Sequence, residues 1–236
     1  MKDKDFSFLH AADLHLDTPF EGLAQVRPGL GEILRDASLA AFHSLVDFAI
    51  QQRVSFVLFA GDLYDGPERG IRAQLHFKRG LERLSTEGIK VFIVHGNHDP
   101  LGGWTAVRNW PPGVRIFGTE EVQTESVLRN GKIIANIYGI SYGSREVREN
   151  LTRRFKRKEG PGLHIGLLHC NVGSNPEHAP YSPCTLEDLK DSGLDYWALG
   201  HIHKRAILLS GEMWAVYPGN LQGRSSKPSE QGAKGA

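Results

Sequence analysis

Aspartate, histidine and asparagine recur along this chain in five short clusters: Asp13-Leu14-His15, Gly61-Asp62, Gly96-Asn97-His98-Asp99, His169 and Gly200-His201-Ile202-His203. Together they offer carboxylate and amide oxygens and imidazole nitrogens, a donor set suited to Mn²⁺, Fe or Zn²⁺ rather than to a thiolate site. Asp13 and His15, two apart on an extended segment, share a side and can chelate one ion, as can His201 and His203. Asp62 has two carboxylate oxygens and is the natural bridge between two ions. Asn97 adds a neutral oxygen and His169 a further imidazole. A lone Asp-x-His says little, but five clusters in this order describe a two-metal centre for in-line phosphoester hydrolysis. His98, adjacent to Asn97, is the expected acid at the departing oxygen, and Asp99 the carboxylate expected to orient it.

Only a folded sheet can bring these clusters together, and each follows an apolar run. Phe6 to Ala12, Val54 to Ala60 and Val91 to His95 read as strands. Between them, helices are expected over Asp36–Gln52, from the spacing of Ala37, Ala41, Leu45 and Phe48, and over Ile71–Thr86, with Gly88 as its stop. This βαβαβ order implies parallel pairing, and ligands at the C-terminal strand ends share one crevice. Val114–Phe117, Ser126–Arg129 and Ile133–Ile140, the last two joined by the hairpin signal Asn130-Gly131, are expected to open a second sheet. A helix over Ser144–Lys158, a strand at His164–His169, a short helix at Leu186–Asp191 and strands at Tyr196–Leu199, Ala206–Leu209 and Trp214–Tyr217 complete the order. The expected fold is α/β, two packed mixed β-sheets flanked by helices.

At 236 residues, 40% hydrophobic and 23% charged, the chain can bury a full core. Its longest apolar run, Val54–Ala60, is far short of the roughly 18 residues that cross a bilayer, and Met1–Asp5 begins no signal core; a cytoplasmic location is expected. Net charge is +1, from 28 basic and 27 acidic residues, so any nucleic-acid surface must be local. Cys170 and Cys184 are too few and too far apart for a disulfide framework or a CxxC site.

The run Leu9 to Asp17, with Gly61-Asp62-Leu63-Tyr64-Asp65, Gly96-Asn97-His98-Asp99 and Gly200-His201-Ile202-His203, resembles the calcineurin-like metallophosphoesterases and, within them, the Mre11/SbcD-type DNA-repair exonucleases. Tyr217 to Arg224 is similar to the bacterial YhaO-like branch. The resemblance implies an αββα sandwich over residues 1–224 and two divalent ions, Mn²⁺ first, with Fe or Zn²⁺ as alternatives. It implies one ion on Asp13, His15, Asp62 and His203, a second on Asp62, Asn97, His169 and His201, and His98 as the catalytic histidine. DNA is the implied substrate and an SMC/Rad50-like ATPase the implied partner. Many members carry histidine where this chain has Asp65. Members also continue into a capping domain, so 225–236 reads as a disordered tail or a truncation point.

Other residues have plainer readings. His10 and His95 lie in apolar strands and read as core or supporting histidines; His43, His76, His164 and His178 read as surface or loop residues. The stretch Arg153 to Lys158 reads as a solvated helix end before a phosphate grip. Trp104, Trp110 and Phe20 read as loop anchors before base-stacking platforms.

Overall fold

The computed structural model describes residues 5–18, 30–66, 70–173 and 181–223. Its first half alternates strand and helix: β1 (Phe8–Ala11), α1 (Leu30–Gln51), β2 (Phe56–Ala60), α2 (Ile71–Thr86), β3 (Lys90–Val94) and then β4 (Val114–Ile116). All four strands are parallel, in the order β1-β2-β3-β4. β2 and β3 are nearly all apolar because both of their faces are covered. Val57, Phe59, Val91 and Ile93 pack in one core with Phe42 and Val46 of α1 and Phe77 and Leu81 of α2. Phe56, Leu58, Phe92 and Val94 pack in another with Ile137, Ile165 and Leu167 of the second sheet.

That sheet comprises β5 (Gln123–Arg129), β6 (Lys132–Gly139), β7 (Leu163–His169), β8 (Tyr196–Gly200), β9 (Ala206–Leu209) and β10 (Trp214–Tyr217), ordered β5-β6-β7-β8-β10-β9. The four central strands are parallel, and β5 and β9 join antiparallel at the edges. Asn130 and Gly131, with φ of 52° and 74°, make the expected tight turn between β5 and β6. The outer face carries a third core of Tyr138, Tyr142, Leu151, Phe155 and Trp197, with Leu189 of α3 (Leu186–Lys190). α3 is held at its start by a reciprocal capping box between Thr185 and Asp188.

Two packed sheets with helices outside match the expectation, with mixed pairing confined to the second. β4 differs: it extends the first sheet beside β3, so the second sheet begins at β5. α1 starts at Leu30, ahead of the expected Asp36. The helix expected over Ser144–Lys158 is a single 3₁₀ turn, Leu151–Arg154. Asn150 accepts from Thr152 N to start that turn, and Phe155 is already extended, its ring 4.8 Å from that of Trp197. Burial of Leu151 and Phe155 on the outer core overrides the helical charge pattern. His164 is no surface residue: it lies buried in β7, accepts from Tyr138 Oη (2.8 Å) and donates to Gly160 O (3.2 Å). His43 and His76 pair with each other across α1 and α2, Nε2 to Nδ1 2.9 Å. His178 and Phe20 lie outside the described residues, as does 225–236.

Where α2 meets α1, a Cβ on Gly80 would stand 2.5 Å from Phe42 Cζ and 3.2 Å from Val46 Cγ2. Gly80→Ala gains about 1 kcal/mol of helix propensity but overpacks this contact, at a cost of about 1–3 kcal/mol. The expected net result is a lower urea midpoint at an unchanged slope; a higher midpoint would show that Phe42 swings aside freely.

Candidate metal centre

The five clusters meet at the C-terminal ends of β1, β2, β3, β7 and β8, where the two sheets abut. Asp13, Asp62, Asn97, His169 and His201 are all buried. Three sets bring ligand atoms within 4.8 Å of one another: Asp13, His15 and His203; Asp13, Asp62 and His169; and His15, Asp65 and His98. Asn97 Oδ1 lies 3.0 Å from His169 Nε2, which is 3.4 Å from Asp62 Oδ2. His15 Nε2 lies 3.3 Å from His203 Nε2 and 3.9 Å from Asp62 Oδ2. His201 is placed beside His169, ring centroids 5.3 Å apart, and against Tyr181 at 5.6 Å.

The backbone bends sharply to present these groups. Asp13, His15, Asp62 and His201 all have positive φ, at 53°, 42°, 52° and 104°. Such strain, worth about 1–3 kcal/mol per residue, persists where the surroundings over-determine it. Here backbone donors do so: His201 N donates to both Asp13 oxygens (3.2 and 3.1 Å), and His98 N to Asp62 Oδ1 (2.9 Å). His169 Nδ1 donates to Ala60 O (2.9 Å), which turns Nε2 toward the centre. Gly61 has no room for a side chain, because a Cβ would stand 2.6 Å from His169 Nδ1.

Charge in this pocket is unbalanced. Burial, reinforced by the Asp62 carboxylate, pushes Asp13 up to about 7. Burial would raise Asp62 too, but the charge and hydrogen bond of His169, with His15 and His98 beyond, hold it well below the carboxylate range. Burial works to lower His169, yet Asp62 and Asp13 lift it to about 9. Both shifts trace to two carboxylates packed against one imidazole. Oxygen and imidazole donors converging on a negative, water-poor pocket fit hard and borderline divalent cations.

Asp13, His15, Asp62, Asn97, His169, His201 and His203 therefore all lie at one centre. Asp99 does not play the part expected of it. Its Oδ1 accepts from Gly96 N (2.8 Å) and Asp62 N (3.1 Å), and its Oδ2 from Leu63 N (3.0 Å) and His95 Nδ1 (3.0 Å). It ties the Asp62 and Asn97 loops together. The carboxylate on His98 is Asp65, Oδ1 to Nδ1 2.6 Å. The sequence carried this signal, since Asp65 stands three residues past Asp62, but only the fold shows which ring it meets. His10 and His95 are supporting residues as expected: His10 Nε2 donates to Leu199 O (3.2 Å), and burial drops its pKa to about 3. Cys170 and Cys184 are buried with sulfurs 3.9 Å apart.

Residues 6–205 match the calcineurin-like phosphoesterase family. The chain belongs to that family. The metallophosphoesterase YhaO of Bacillus subtilis is 43% identical over 232 residues, covering 98% of this chain and 56% of that protein. The DNA double-strand break repair protein Mre11 of Aeropyrum pernix is 28% identical over 227 residues, covering 90% of this chain and 53% of its own length. The chain thus spans about half the length of these relatives. A dimetal phosphatase from Danio rerio shares the fold, with a TM-score of 0.56 at 13% identity over 93% of this chain and 89% of that one. The family is one of metal-dependent phosphoester hydrolases.

Because Asp62 touches the His15 and His169 groups alike, Asp62→Asn is expected to lower the metal content of the purified protein more than His203→Ala does. Elemental analysis after dialysis against Mn²⁺ or Zn²⁺ measures this; equal retention by both variants would contradict the central place of Asp62.

Proposed function

We propose that this chain carries the catalytic domain, residues 1–224, of a DNA-hydrolysing phosphodiesterase that degrades strands from an end and works with two divalent ions, Mn²⁺ foremost. The observation that carries the reading is the His98–Asp65 pair standing against the cluster of Asp13, Asp62 and imidazoles. Asp13, His15, Asp62 and His203 would hold one ion, and Asp62, Asn97, His169 and His201 the other. Bound there, the ions supply positive charge that draws electron density from a phosphoryl group. DNA as substrate is favoured by the Mre11 relatives, whose names place them in double-strand break repair. A cytoplasmic location and an SMC/Rad50-like ATPase partner belong to the same reading. Among the described residues, no helix is long and apolar enough to cross a membrane.

The chain's own residues divide the remaining work. Asp65 accepts from His98 Nδ1, so the exchangeable proton is the one on Nε2, which His98 can pass to the oxygen that leaves. Asp62 accepts from His98 N (2.9 Å) and thereby holds that acid's backbone beside the ligand cluster. Asp99, through His95, Gly96, Asp62 and Leu63, keeps both loops in place.

A small-molecule phosphodiesterase or phosphatase is the competing reading, and the Arg153–Lys158 stretch favours it. Arg153 pairs with Asp188, Arg154 with Glu149 and Arg157 with Asp195, so these cations are already satisfied within the chain. Metal-loaded protein is expected to shorten end-labelled DNA progressively. Hydrolysis of nucleotides or cyclic nucleotides with no attack on DNA would overturn the nuclease reading.

His98→Ala is expected to keep its metal while losing roughly 10²- to 10⁴-fold in rate, and Asp65→Asn to lose less. Both losses should shrink on a nitrophenyl diester, whose leaving group needs no proton. Equal losses on the two substrates would remove the acid role from His98.

A further inference from the structure

The second sheet is wider than the first. β1, an edge strand, lies over β8, with Phe8 edge-on to Tyr196 at 5.2 Å and His10 Nδ1 3.3 Å from Tyr196 Oη. β10 and β9 continue the second sheet from β8 to its edge. Against these strands is a cavity of about 290 Å³ lined by Phe8, His10, Tyr196, Arg205, Trp214 and Val216. Trp214 and Val216 alternate with the buried Ala215 and Tyr217 along β10, so the indole faces the cavity and stays 42% exposed. A half-exposed tryptophan on a strand otherwise anchored in the core has no packing role that requires its size.

Arg205 supplies the polar element. Its guanidinium forms no hydrogen bond or ion pair among the described residues, and its charge reaches the Tyr196 phenol, opposing the upward push of burial there. Flat aromatic walls with one uncommitted cation are the means by which proteins hold single-stranded nucleic acid, stacking bases and meeting phosphate charge. The volume lies near the lower end of small-ligand pockets, enough for one base and its sugar rather than a run of peptide side chains.

One end of the cavity lies toward the metal centre. Arg205 follows His203 by two residues, Pro218 lines the cavity, and Asn220 N donates to His203 O (3.0 Å). Arg205 stands at the end of the cavity toward the metal centre, whereas Trp214 and Tyr196 start β10 and β8, roughly 13 Å of strand back from Gly200, so a strand engaged at Asp13 and His203 meets Arg205 first and Trp214 further along.

We propose that this groove holds one nucleotide of the single strand engaged at the metal centre, the base against Trp214 and Tyr196 and a phosphate on Arg205. The inference rests on the nuclease reading and adds to it a place where the strand is gripped outside the reacting phosphate.

The test uses chelator-treated protein, so that binding is read without hydrolysis, and a fluorescein-labelled single-stranded decathymidylate as probe. Trp214→Thr and Arg205→Gln are expected each to weaken binding about tenfold, by anisotropy, with melting midpoints unchanged. Trp104→Thr, which removes another exposed indole from outside the groove, provides the comparison and should bind as the parent does. With metal restored, KM for the oligonucleotide should rise in the two groove variants while the metal content holds. Equal binding by parent and groove variants overturns the proposal, as does an equal loss in Trp104→Thr or displacement of the probe by an extended peptide and not by dTMP. DNA hydrolysis with unchanged KM in both groove variants removes the groove and leaves the nuclease reading standing. Trp214-dependent binding by a protein that never cleaves DNA removes the nuclease reading and leaves the groove.

Discussion

Two carboxylates, Asp13 and Asp62, sit side by side where water scarcely reaches, and much of this molecule is arranged around that cost. Each buried anion needs hydrogen-bond donors and opposite charge. His201 N and His98 N supply donors, each from a loop at the end of a different strand. The chain accepts four residues with positive φ to bring those N–H groups inward. Opposite charge is offered by His169, and divalent cations held by these residues would add to it.

Asp99 shows how far this requirement spreads. Hydrogen bonds reach it from Asp62 N, Leu63 N, Gly96 N and His95, in the segments that follow β2 and β3. A third buried carboxylate is thus spent on holding the frame of the other two. Asp65 lies nearer solvent and is left to pair with His98. The division between framing and reacting groups follows burial: Asp99 is fully enclosed, whereas Asp65 and His98 lie partly open to the side from which a phosphoester can approach.

Much of this is legible in the sequence because ligand chemistry and strand periodicity agree. The five clusters name all seven candidate ligands that the fold gathers, though not Asp65, and each lies at the end of an apolar run that forms a strand. Roles that depend on which side chains meet across loops are not legible. Asp99 follows His98 directly, which suggests that the two pair, yet in a tight turn neighbouring side chains diverge and the partner is Asp65, from another strand. The Ser144–Lys158 segment misleads for a related reason: its charges suit a helix, but Leu151 and Phe155 gain more by inserting into the outer core. β4 reads as part of the wrong sheet because three residues carry too little pattern to declare a neighbour.

The bond from His169 Nδ1 to Ala60 O joins the C-terminal end of β2, in the first sheet, to that of β7, in the second. Ligands on both sides of that junction mean that neither half of the sandwich holds the full set: the first brings Asp13, His15, Asp62 and Asn97, the second His169, His201 and His203. A nascent chain that has completed only its four parallel strands exposes Asp13, Asp62 and Asn97 with no imidazole from β7 or β8 to complete the set. A cation held by the full set would therefore require docked sheets, and would in turn tie the two layers together.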